Sequence, residues 1–162
     1  MIQTIIVGHL AVAAFYDVRF RKVPNAVVLS LGFLGIVYQV MVGKGMNAVI
    51  GIVCAFLVTL LPAMLRGMGM GDQKLLMAVG SWIGGSEVYQ LFLLSLCLSI
   101  LIMFLYPGRW VHLGQNLYCL YLGWFAHKQL WLPSVRSSAL SQPFAAAIFA
   151  SYCIFLLGDH LL

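Results

Sequence analysis

The sequence predicts an all-α, polytopic membrane protein of about six transmembrane helices. Three observations carry that expectation. Of the 162 residues, 63% are hydrophobic and 8% are charged, whereas soluble globular domains carry about 25% charged residues. The apolar residues fall into runs close to the roughly 20 residues that a helix needs to cross a bilayer. The basic residues collect between alternate runs, as they do where positive charge holds loops on the cytoplasmic side. Within hydrocarbon the backbone must satisfy its own hydrogen bonds, so helices are expected throughout a single domain, 1–162.

In chain order the expected spans are 2–20, 25–42, 46–65, 73–86, 88–106 and 142–160. The first has no basic n-region and no small-residue cleavage site, so it is expected to stay as a span. The second follows Pro24, a residue suited to the first turn of a helix. The fourth is short and follows the glycine-rich stretch "LRGMGMGD" at 65–72. Gly67/Gly71 and Gly80/Gly84 have the spacing that lets helices pack closely. The stretch 107–141 is apolar and aromatic, but "PGRW", "GQN", "HK" and "PSVRSS" interrupt it. It is expected to be a cytoplasmic loop with an interfacial amphipathic segment, its Trp110, Tyr118, Tyr121, Trp124 and Trp131 lying at headgroup depth. Cys54, Cys97, Cys119 and Cys153 form no C-x-x-C pair and are expected as small buried hydrophobes.

Six spans place the loops 17–24, 66–74 and 107–141 on one side. These hold Arg19, Arg21, Lys22, Arg66, Lys74, Arg109, Lys128 and Arg136, which leaves Lys44 alone on the other side. The three loops are therefore cytoplasmic and both termini face outward. The net charge of +5 suits anionic lipid as a partner. It does not suit nucleic acid, because the charge is divided among three loops.

The acids are Asp17, Asp72, Glu87 and Asp159. Glu87 and Asp159 map to the outer side, where water can solvate them. Asp17 and Asp72 both map to the cytoplasmic end of a span, at similar depth. About 15 residues of helix before Asp17 reach about 22 Å, short of a hydrocarbon core of about 30 Å. The helix is therefore expected to continue past Asp17, with Arg19, Arg21 and Lys22 snorkelling to the interface. An acid within a span is costly enough to signal function, although a helix-end acid paired with an arginine would also account for it. Asp72 reads either as the N-cap of the fourth helix or as a reactive carboxylate. The N-cap reading leaves Gly67, Gly69 and Gly71 unexplained, since bare glycine backbone suits the close approach of another chain.

Two carboxyl groups held together can hydrolyse a peptide. The ionised one takes a proton from water while the protonated one donates to the carbonyl oxygen. A proton relay in a small transporter is the alternative use of Asp17 and Asp72. Neither acid lies at mid-membrane, which weighs against it.

"DVRFRKVPN" (17–25) and "GMGDQKLLMAVGSWIG" (69–84) resemble the two signature segments of type IV prepilin peptidases, GxGD-class intramembrane aspartic proteases. Asp17, Pro24 and Asn25 match the first segment. Gly69, Gly71, Asp72, Lys74, Leu75 and Gly80 match the second, with Ala78 following Leu75–Met77. "QPFAAAIFASY" (142–152) is similar to the small-residue final helix of that family. The resemblance implies catalysis by Asp17 and Asp72. It also implies cleavage of prepilin or pseudopilin leaders after a glycine, at the cytoplasmic face of the bacterial inner membrane. Bifunctional members carry an insert with two C-x-x-C pairs and methylate the new N-terminus; this chain lacks it, like the short Flp/Tad-type members, so methylation is not implied. The motifs contain no His or Cys, so no metal and no cofactor is expected. Lys74 is expected to bind a substrate acid or phosphate, or to anchor the interface. His9 is expected as a hydrogen-bonded packing residue.

Overall fold

The computed structural model describes residues 2–64, 68–105 and 144–161. They form six α-helices: α1 Ile2–Phe20, α2 Asn25–Met41, α3 Gly45–Met64, α4 Met70–Ile83, α5 Gly85–Leu105 and α6 Phe144–Leu161. The chain divides into two compact units, Met1–Leu98 with Pro143–Leu162, and Ser99–Gln142. The described part of the second unit is the last turns of α5. The expected loop 107–141 lies outside the described residues.

Two helical segments, Gly45–Met64 and Gly85–Ile102, are long and apolar enough to cross a membrane by length and composition; Asn25–Met41 and Phe144–Gly158 are shorter apolar helices. The helices lie close to the expected ranges, with one difference that bears on the site. α4 begins at Met70 instead of residue 73, so Asp72 lies inside its first turn. Likewise α5 begins at Gly85, directly after α4.

Burial follows helical periodicity on the outer helices. α1 buries Ile6, Leu10, Ala13, Ala14 and Asp17; α2 buries Val28, Leu31, Gly35 and Gln39; α3 buries Ala48, Gly51, Ala55 and Thr59. Each set recurs at spacings of three or four residues, a single inward stripe. Their outward positions are apolar, with Leu29, Phe33, Val40 and Leu57 all exposed. α4 differs, because it buries residues on nearly every side, from Asp72 and Gln73 through Leu75, Leu76 and Ala78–Trp82. It is the central helix, packed by α2 and α3, while α1 packs along α6. The shared core includes Leu10 and Ala13 of α1, Val79 of α4, Leu91 of α5 and Ile148 of α6.

Small residues and polar contacts hold α4 in place. A Cβ on Gly51 of α3 would overlap the Gly80 carbonyl oxygen and lie 2.7 Å from its carbon, while a Cβ on Gly80 would lie 2.5 Å from the Gly51 oxygen. The two backbones touch there. Toward α2, the Trp82 Nε1–H donates to the Leu31 carbonyl at 2.8 Å. Gln39 Nε2 donates back to the Trp82 carbonyl at 2.6 Å, and Tyr38 stacks on the Trp82 ring. α1 ends through Arg21, which takes a left-handed φ of 52° and donates its N–H to the Asp17 carbonyl at 2.8 Å. That is a helix-terminating bond in a conformation more often given to glycine.

The backbone contact makes a direct prediction. Gly51→Ala should lower stability by about 1–3 kcal/mol through overpacking. Gly8→Ala on α1, where a Cβ meets nothing within 4 Å, should be neutral or raise stability by up to about 1 kcal/mol. Thermal unfolding of the detergent-solubilised variants checks both.

Candidate active site

Asp17 belongs to the inward stripe of α1, one turn after Ala13, and is 7% exposed. Its Oδ2 accepts the backbone N–H of Ala145 at 2.9 Å. Ala145 is the second residue of α6, where the first N–H groups have no partner within their own helix. Among the described residues the partner of Asp17 is therefore this helix terminus and not an arginine. α1 continues past Asp17 to Phe20, as expected, and Arg19, Arg21 and Lys22 are exposed.

Asp72 is not the N-cap of α4. Gly69 holds that position, with φ −71° and ψ 143°, which makes Asp72 the third residue of the helix. The Asp72 N–H donates to the Gly69 carbonyl at 3.1 Å, and its carboxylate accepts from the Gly69 backbone N–H. This reciprocal arrangement is half of a capping box. It also explains one glycine, because a Cβ on Gly69 would lie 3.0 Å from Asp72 Oδ2. Gly71 has a different neighbour: a Cβ there would meet Val23 at 3.5 Å. The loop between α1 and α2 thus touches the start of α4. Asp17 lies within electrostatic reach of Asp72.

The other motif residues divide. Pro24 precedes α2 as its N-cap, and its carbonyl accepts the N–H of Val27 at 3.1 Å; the helix itself begins at Asn25, one residue later than expected of a first-turn proline. Asn25 and Lys74 are exposed. They line a groove of about 550 Å³ with Val28, Leu29, Phe33 and Met77, so Lys74 faces α2. His9 Nδ1 bonds the Ile5 carbonyl at 2.9 Å, within its own helix.

Two atoms are left over. Asp72 Oδ1 and Gln73 Nε2 are buried and have no hydrogen-bond partner among the described residues. Gln73, 6% exposed, was not singled out from the sequence, because it fills a variable position between the motif residues Asp72 and Lys74. Only the near-complete burial of α4 marks it. Two carboxyl groups in mutual reach, one with a free oxygen in a dry setting, can take a proton from water and return one to a substrate oxygen.

A model of the type IV leader peptidase family matches residues 4–106, more than half of the chain and inclusive of both aspartates. No curated protein and no solved structure matches the chain.

The Ala145 bond separates two duties of Asp17. Asp17→Ala removes the cap of α6 and should lower stability by about 0.5–2 kcal/mol. Asp17→Asn keeps an acceptor oxygen and should melt closer to the unsubstituted protein. The ordering of thermal midpoints checks this.

Proposed function

The chain belongs to the type IV leader peptidase family, and on that premise we propose that it is an aspartic endopeptidase that removes the leader of type IV (Flp-like) prepilins or pseudopilins. Cleavage follows a glycine at the cytoplasmic face of the bacterial inner membrane. The observation that supports this reading is that two buried carboxyl groups, Asp17 near the end of α1 and Asp72 in the first turn of α4, lie within electrostatic reach of each other.

The six described helices serve as membrane spans of one domain. Two of them meet the length and hydropathy expected of a span. The exposed apolar faces of α2 and α3 support lipid contact around the others. The loop 21–24 and the start of α4 lie on the same side, since Val23 neighbours Gly71. Among the described residues, Arg19, Arg21, Lys22 and Lys74 then share one side, with Lys44 on the other, and the excess of positive charge makes the first side cytoplasmic. A proton relay across the membrane fits less well, because both acids lie at one end of their helices.

One aspartate, ionised, accepts a proton from water as the water oxygen attacks the scissile carbonyl carbon. The other, protonated, gives its proton to the carbonyl oxygen. The resulting diol collapses with cleavage of the C–N bond, and the amine leaves with a proton from the pair. Gly69 keeps the space beside Asp72 Oδ2 clear. The leader's new carboxylate and the mature N-terminus are the products, and no methyl transfer is part of the proposal.

The test is cleavage of a synthetic prepilin by purified protein. Asp17→Asn and Asp72→Asn should each reduce kcat by at least about 100-fold, with the double variant little worse, because groups acting as a unit are non-additive. Product mass should place the cut after glycine. Single variants that retain substantial cleavage would contradict the pairing.

A further inference from the structure

We propose that the side-chain amide of Gln73 is a catalytic group, donating from Nε2 to the oxygen of the scissile carbonyl. The proposal rests on the aspartic peptidase reading above and adds a residue to it.

Gln73 is 94% buried, since 6% of its surface is exposed, and its Nε2 is without a partner. Buried amides in folded proteins are overwhelmingly paired, and the exceptions call for a reason. A helix as enclosed as α4 accepts Leu at such positions readily, as Leu75 and Leu76 show at 0% exposure. Burying an amide without a partner instead of a similar-sized apolar group makes the fold less stable. Such a residue is explained when its partner arrives with the substrate.

Location supports the same assignment. Among the described residues, two buried side-chain N or O atoms have no partner, and they belong to consecutive residues, Asp72 and Gln73. One is an acceptor and the other a donor. Consecutive residues of a helix project about 100° apart, so the two atoms border adjoining sectors of the first turn of α4, and peptide hydrolysis uses both kinds of group: an acceptor for the proton of the attacking water, and a donor for the oxygen on which negative charge develops. Asp72 Oδ1 supplies the first and Gln73 Nε2 the second. Proton bookkeeping is unchanged by the addition. The water proton still goes to the ionised aspartate, and the carbonyl oxygen still receives its proton from the protonated one. The Gln73 N–H stays covalently intact and strengthens its hydrogen bond as the carbonyl π pair moves onto oxygen. Donors aimed at developing charge in a dry site act mainly on the transition state, so the effect belongs in kcat.

The experiment compares full-length Gln73→Leu and Gln73→Met with the unsubstituted enzyme on a synthetic prepilin. Thermal midpoints are measured on the same preparations, and Asp17→Asn is assayed alongside. Leu and Met keep most of the volume and remove the donor. The expected result is a fall in kcat of about 10- to 100-fold, at the lower end of the range for loss of an oxyanion donor because an acid shares the load. KM should change by less than about twofold, and the midpoint should be equal or higher, since an unpaired buried amide has gone. Met, being flexible, serves if the branched Leu fails to pack. Unchanged kcat, a rise in KM alone, or a fall in kcat that tracks a fall in midpoint would each overturn the role of Gln73. If Asp17→Asn is inactive in that assay, the aspartate pair still stands. If Asp17→Asn cleaves normally, the underlying reading fails instead.

Discussion

The contact between Gly51 and Gly80, backbone against backbone, is the constraint on which the rest of the structure depends. α4 has 14 residues, about 21 Å of helix, and is enclosed along most of its length. So short a helix can lie at the centre only if its neighbours approach closely, and glycine at the crossing allows that. The hydrogen bonds between Trp82, Leu31 and Gln39 then fix its rotation against α2. With translation and rotation both set, the first turn of α4 has one place to be.

That place is beside the end of α1. Asp17 reaches it because the stripe Ile6–Leu10–Ala13 continues inward for one more turn. Its carboxylate also satisfies the first turn of α6, so one side chain ties the beginning of the chain to its end. Asp72 is held by its reciprocal bonds with Gly69, which occupy part of the carboxylate and leave Oδ1 open. The helix terminus thus orients the group on which the proposed chemistry rests. This is the second-level support that a reactive constellation requires.

Much of this was legible in the sequence. Asp17 and Asp72 stood out because a chain with four Asp and Glu residues rarely places any of them within apolar runs, and the matching segments around them were specific. Helix positions followed from run length, most closely for α1, where 2–20 was expected and Ile2–Phe20 is found. The start of α4 was harder. Glycines at 67, 69 and 71 disguised the first turn as loop, since propensity disfavours Gly in helices, and tertiary packing overrode it at Gly71. The cap of α6 by Asp17 joins residues 128 positions apart, beyond any local pattern. Gln73 was silent for a related reason: a glutamine between Asp and Lys looks solvated until the helix that carries it is known to be central.

The central claim is that the ends of α1 and α4 form one site in the membrane. It is tested most directly by distance. In a chain whose four cysteines are replaced, Asp17→Cys and Asp72→Cys would be combined with a protease site in the turn at 42–44. Membranes would then be treated with a short thiol-reactive bismaleimide and cleaved. The account predicts that the two fragments remain joined, and that Asp17→Cys paired with Glu87→Cys, in the first turn of α5 and beyond the far end of α4 from Asp72, leaves them separate. Fragments that separate for 17 and 72 but stay joined for 17 and 87 would contradict it.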